Sequence, residues 1–157
     1  MLAEIFLILK SYGYIGIFLI NMISSATIIF PLPATPFVFA MGSLLNPFFV
    51  GIIGGLGAAI GEFTGYVLGM GSRKVIKKKW KKQIDHVEKM FENYGGFAVI
   101  FIFSVTPLPD DIAGIVAGIF KYPVKKYFIA VLLGKIIMNL ALAYAGFYGI
   151  SELLKYF

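Results

Sequence analysis

The sequence predicts an all-α integral membrane protein with an inverted-topology repeat. Its parts are two opposed re-entrant hairpins, two full transmembrane helices and a cytoplasmic amphipathic helix. Three observations predict this. First, 59% of the 157 residues are hydrophobic and 14% are charged, against about 25% charged in an ordinary soluble domain; mean hydropathy is +0.88. Second, Ser11 to Gly61 contains no Lys, Arg, Asp, Glu or His, a run more than twice the roughly 20 residues one spanning helix needs. Third, the chain repeats itself. Pro31-Leu32-Pro33 returns as Pro107-Leu108-Pro109, with Gly42 matching Gly118 and Pro47 matching Pro123. After a slip of one residue, Gly57 pairs with Gly134, Glu62 with Asn139 and Gly69 with Gly146. Such internal duplication in an apolar chain is the pattern of transporters built from two copies around one site. Residues 1–157 read as one membrane domain, with repeat A at 12–71, a basic helix at 72–92 and repeat B at 94–149.

Taken in order, Met1 to Phe6 lacks the basic run of a cleaved signal, so none is expected. Tyr12-Gly13 and Tyr94-Gly95 open the two halves, although their spacing to the prolines differs between copies. Residues 12–30 are long enough to cross a bilayer alone, and short enough to be half of a hairpin; the sequence leaves both open. Two prolines separated by one residue cannot sit inside a regular helix, because each removes a donor and clashes one turn back. In lipid the freed carbonyls need protein or water. Pro31, Pro33, Pro107 and Pro109 are therefore placed at re-entrant tips, with four kinked through-going spans as the alternative. The outgoing arms, 34–45 and 110–120, are ~18 and ~16 Å of helix, near half of a ~30 Å hydrocarbon core. Residues 48–71 and 124–149 are long enough to cross fully. One full crossing between two returning hairpins turns the second copy upside down.

Charge sets the orientation. Arg73 to Lys89 carries eight basic residues against Asp85 and Glu88, and short basic loops stay cytoplasmic. Lys121, Lys125 and Lys126 fall on the same side without having been used to choose it. Within the basic segment Ile76, Trp80, Ile84, Val87 and Phe91 form one apolar stripe, and Ser72 is an expected N-cap. Residues 73–92 read as a helix along the cytoplasmic interface, its lysines near anionic headgroups. A plain topology signal explains the same charges. Nucleic acid is not an expected partner.

The polar residues inside the apolar runs are the site candidates, since a charge at mid-bilayer costs at least ~2.5–3.5 kcal/mol. Asp110 and Asp111 open the helix after the second tip, where they either cap its N-terminus or, as adjacent carboxylates, raise each other's proton affinity. Glu62 stands halfway along the first full span. Lys135 and Asn139 share a face of the second. Lys135 either pairs with an acid, Glu62 first, or snorkels to an interface. Gly57, Gly61, Gly65 and Gly69 recur every fourth residue, a packing seam either within the monomer or in a homodimer. Cysteine is absent and His86 is the lone histidine, so no metal, other cofactor or enzymatic activity is expected.

The stretch Phe103-Ser104-Val105-Thr106-Pro107-Leu108-Pro109-Asp110-Asp111, with Gly118 and with Gly61-Glu62 followed by Tyr66 and Gly69, resembles the DedA family. That family is also called the VTT or SNARE-associated Golgi protein family, and the likeness is to its small YqaA-like branch, over roughly residues 12–149. The resemblance implies two opposed re-entrant loops meeting at mid-membrane. It also implies lipid transport or scrambling, including polyprenyl-phosphate carriers in bacterial members, some coupled to proton gradients. Better-studied bacterial members carry arginines around the second proline pair, where this chain has Ser104 and Asp110. They carry an acid after the first pair, where it has Thr35. Arginine is the natural phosphate clamp, so its absence bears on the substrate more than on the architecture. Three function classes stay open: a lipid transporter, with a polar furrow beside the hairpins; a proton- or ion-coupled small-solute carrier, with a closed cavity around Asp110, Asp111 and Glu62; and a membrane scaffold, with every polar group paired internally.

Overall fold

The computed structural model describes residues 2–27, 34–71, 81–106 and 110–153, and all of its described secondary structure is helical. In chain order the helices are α1 (Leu2–Ala26), α2 (Ala34–Leu44), α3 (Pro47–Gly71), α4 (Lys81–Tyr94), α5 (Gly96–Val105), α6 (Asp110–Ile119) and α7 (Val124–Leu153). Pro31, Pro33, Pro107 and Pro109 lie outside the described residues, as do Ser72, Ile76 and Trp80. The boundaries around them match the sequence reading closely. α2 and α6 begin directly after the proline pairs, and Pro47 opens α3, a position whose missing donor costs a helix nothing. Two stretches, Pro47–Gly71 and Val124–Gly149, are long and apolar enough to cross a membrane.

α3 and α7 form the spine, and they run antiparallel. Gly51 lies on Leu140, Gly55 on Ile136, and Glu62 reaches back to Lys135. α1 runs parallel to α3, with Gly57 on the Phe18 carbonyl, Gly61 on the Met22 carbonyl and Thr64 bonded to Ala26. α2 then returns until Leu45 and Met41 meet Gly13. Residues 12–26 thus pack between α3 and the returning α2. The helix containing them is 25 residues long, and it ends about 25 Å along α3 from Pro47. α5 likewise runs along α7, from Gly96 beside Tyr122 to Ser104 beside Gly134. α6 turns back across α3, placing the Asp111 carbonyl beside Gly65. The end of α1 and the start of α6 therefore both lie next to Glu62–Gly65.

Contacts in one half have counterparts in the other. Gly42 of α2 lies on the Ala143 carbonyl of α7, and Gly118 of α6 lies on the Tyr66 carbonyl of α3. Gly146 lies on the Phe39 carbonyl, and Gly69 on the Ile115 carbonyl. α2 so packs on α7, and α6 on α3. A β-carbon at any of these glycines would strike backbone, which no rotamer change relieves.

The Gly57–Gly61–Gly65–Gly69 seam packs within the monomer, the first of its two readings, although it meets α1 and α6 and not α7. Gly57 and Gly61 hold α1, Gly65 and Gly69 hold α6, and the α7 contact falls to Gly51, Gly54 and Gly55. Every fourth residue drifts slowly around a helix, so one stripe serves two neighbours in turn. The basic helix differs from the sequence reading. Its described part ends at Tyr94, where Gly95 at φ 83 turns the chain into α5, a conformation that favours glycine. Its apolar stripe faces protein rather than lipid at Ile84 and Val87, which are 0% and 3% exposed. They pack with Val99 and Phe103 of α5 and with Ile112, Ile115, Val116 and Ile119 of α6.

Candidate functional site

Five polar residues are buried in the described structure: Asn21, Glu62, Ser104, Lys135 and Asn139. They come from four helices and gather where the hairpin arms meet the α3–α7 spine. Glu62 and Lys135, 2% and 7% exposed, form an ion pair of 3.0 Å between Oε2 and Nζ. The antiparallel crossing brings their backbones within reach, and the long lysine stem covers the remaining offset. Lys135 is thus a counter-charge and does not snorkel to an interface. At low dielectric this attraction offsets a desolvation cost of several kcal/mol per ion, and only while both partners are present.

Around the pair, two hydroxyls bond between elements and two amides bond within their own helices. Tyr127 Oη donates to the Glu62 carbonyl at 3.2 Å, and Tyr66 Oη donates to the Tyr122 carbonyl at 2.6 Å. The Tyr66 and Tyr127 rings lie 4.8 Å apart, with Phe63 stacked on Tyr66. Asn139 Nδ2 donates to the Lys135 carbonyl at 2.9 Å, and Asn21 Nδ2 to the Ile17 carbonyl at 2.9 Å. Both amides converge on Gly54, where a β-carbon would stand 2.8 Å from Asn139 Oδ1 and 3.3 Å from Asn21 Nδ2. Asn139 Oδ1 and Ser104 Oγ are buried with no hydrogen-bond partner among the described residues. In a native interior such groups are few.

Of the residues singled out in the sequence, Glu62, Lys135 and Asn139 come together. Asp111 approaches through its backbone at Gly65, and Asp110 begins α6 with its side chain outside the described residues. Asn21 and Ser104 belong to the cluster and were not candidates in the sequence reading. Their signal was available. Each is a polar residue in an apolar hairpin arm, and each faces a glycine of the long helix beside it, Gly54 for Asn21 and Gly134 for Ser104.

An open groove of about 390 Å³ runs along α3, lined by Ile60, Phe63, Thr64, Val67, Leu68 and Gly71. Helical geometry puts its centre on the side of α3 opposite Glu62. Its polar member, Thr64, donates to the Gly61 carbonyl at 2.9 Å. The groove is apolar, unlike the polar furrow expected of a lipid pathway.

A family model described as the VTT domain matches residues 32–148. The chain belongs to the VTT-domain family. This is the DedA family that the proline pairs and the Gly61-Glu62 motif resemble, and its members are generally membrane proteins thought to be transporters. The match begins within the first proline pair and ends four residues before Glu152, so it covers α2, α3, most of α7 and every charged residue of the site. This VTT domain is similar to an uncharacterized protein of Methanocaldococcus jannaschii, with 32% identity over 136 residues, covering 84% of this chain and 82% of the relative. No solved structure matches it.

Proposed function

We propose that this VTT domain carries lipid across the membrane, through the junction of two re-entrant hairpins that enter from opposite sides. The observation that carries this reading is the buried Glu62–Lys135 pair, set among unpaired Asn139 Oδ1 and Ser104 Oγ at the meeting point of both hairpins. A scaffold accounts for the ion pair; it does not account for orphaned polar atoms beside it. The apolar groove on the outer face of α3 suits an acyl chain and lies apart from the polar junction.

The antiparallel spine and the reciprocal glycine contacts support an inverted repeat. Exposed aromatic rings support its placement in a bilayer. Tyr12, Phe48, Phe49 and Tyr148 gather at one end, and Tyr94, Phe97 and Phe120 at the other, as in the aromatic belts of membrane proteins. From Phe48 to Gly71 is about 34 Å of helix, close to a bilayer core. Exposed Lys121, Lys125 and Lys126 mark the second end, which is then the cytoplasmic one. Asp110 and Asp111 open α6, which brings the Asp111 backbone beside Gly65, next to the junction.

Reconstitution tests the reading. Liposomes with fluorescent headgroup-labelled lipids receive a membrane-impermeant quencher, and wild type should lose inner-leaflet signal at least ten times faster than empty vesicles. Glu62→Gln/Lys135→Met, Asp110→Asn and Asp111→Asn should each slow that loss. Repeating the assay under an imposed pH gradient reads proton coupling. If wild-type vesicles leak no more lipid than empty ones, the proposal fails; if wild type is active and the variants match it, the site is elsewhere.

A further inference from the structure

The two hairpins are attached to the rest of the molecule by unequal means. α6 has no uncovered side: Ile112 to Ile119 are all buried, between α3 and the Ile84–Val87 face of α4. α2 is its counterpart, yet it buries only Val38 and Gly42. Thr35, Pro36, Ala40 and Leu44 are exposed.

The seams under the hairpins differ as well. Beneath the second lie Ile100, Tyr66 and Tyr127, whose two hydroxyls bond the Tyr122 and Glu62 carbonyls. Beneath the first lie Ile17, Val50 and Ala143. In the register that pairs Gly57 with Gly134, Val50 stands at the place of Tyr127 and Ala143 at the place of Tyr66. The shared backbone contact confirms the second correspondence, since Gly42 rests on the Ala143 carbonyl as Gly118 rests on that of Tyr66. Neither Val50 nor Ala143 has a hydroxyl to bond with. Among the described residues the first hairpin is held to α3 by one exposed bond, Thr64 Oγ1 to the Ala26 carbonyl at 3.3 Å, and the second by the Tyr66 bond to the Tyr122 carbonyl together with the apolar face of α4.

We infer that the first hairpin is the moving element of this protein and the second is a fixed abutment held by α4. Motion of α1 and α2 against α3 uncovers Glu62 from the first-hairpin side, while α6 keeps its place at Gly65 and Gly69. This uncovering step rests on the transport reading; the difference in mobility does not. Elements with few buried contacts open at lower free energy, so the difference is measurable without any substrate.

Hydrogen–deuterium exchange on the full chain in lipid nanodiscs provides the first test. Amides of α2 should exchange at least tenfold faster than those of Ile112 to Ile119. Ile84→Ser/Val87→Ser should speed exchange in α6 and leave α2 unchanged. Equal exchange in the two wild-type helices, or slower exchange in α2, overturns the inference even if the double variant does not fold. The second test uses disulfide staples, which this cysteine-free chain permits. Ala26→Cys/Thr64→Cys joins the first hairpin to α3, across a contact of 3.3 Å. Phe91→Cys/Tyr122→Cys joins α4 to the turn after α6, where the rings pack at 6.1 Å. Oxidising the first staple should stop lipid movement, with recovery on reduction, and oxidising the second should change it less than twofold. The reverse pattern overturns the inference. Absence of lipid movement in wild type would sink the transport reading and leave exchange to decide this one.

Discussion

α3 and α7 occupy matching places in the two halves, yet 56% of the most apolar window of α3 is buried against 33% for α7. The difference follows from the hairpin arms beside them. Gly57 and Gly69 of α3 have glycine counterparts, Gly134 and Gly146, and all four lie against backbone of a neighbouring arm. Gly61 and Gly65 correspond instead to Met138 and Leu142. α1 is long and passes Gly61 at the Met22 carbonyl. α5 ends at Val105, one residue past Ser104 beside Gly134, so among the described residues α5 does not reach the level of Met138. A glycine persists where backbone must approach, and a large apolar side chain returns where it need not.

Six substitutions break or sharpen that comparison, each read as a shift in unfolding free energy. The largest effect comes from the buried charge on each long helix. Lys135→Met alone should cost about 3–5 kcal/mol, because it leaves Glu62 buried and unpaired. Adding Glu62→Gln should recover most of the loss; a double variant as unstable as the single one contradicts the pairing. Next, Gly61→Ala should cost about 1–3 kcal/mol through overpacking against the Met22 carbonyl. Met138→Ala should cost less, since Met138 is only half-buried. Equal costs would remove the explanation by arm length.

Tyr66→Phe should cost roughly 1–1.5 kcal/mol, the net value of a hydrogen bond, measured as a lower midpoint in denaturant. The first half has no bond to lose at Ala143. The smallest effect is a gain. Gly16 sits inside α1 with nothing within 4 Å of a built β-carbon, so Gly16→Ala should stabilise by about 0.5–1 kcal/mol. A loss there would mean that Gly16 meets a neighbour after all.

Much of the framework was legible because proline, glycine and charge act locally. Pro47 and the residues after each proline pair mark helix starts, and an acid and a lysine in matching spans find each other once the halves oppose. The partner of an apolar face is not local information. Ile84 and Val87 have the same spacing whether lipid or α6 covers them, and the Gly57–Gly69 seam does not say which helix it receives. Asn21 was passed over for a related reason. Its significance comes from Asn139 and Gly54, which approach it only after the chain has folded. Ser104 stood inside a motif already noted, but read as a missing arginine rather than as a member of the buried cluster.

The account depends most on the opposed entry of the two hairpins, and cysteine labelling in sealed, oriented vesicles tests that directly. Asn46, at the base of the first hairpin, and Lys121, at the base of the second, are both exposed. With Asn46→Cys and Lys121→Cys introduced one at a time, a membrane-impermeant thiol reagent should reach Asn46→Cys from outside only and Lys121→Cys from the cytoplasmic side only. Labelling of both from the same side would contradict it.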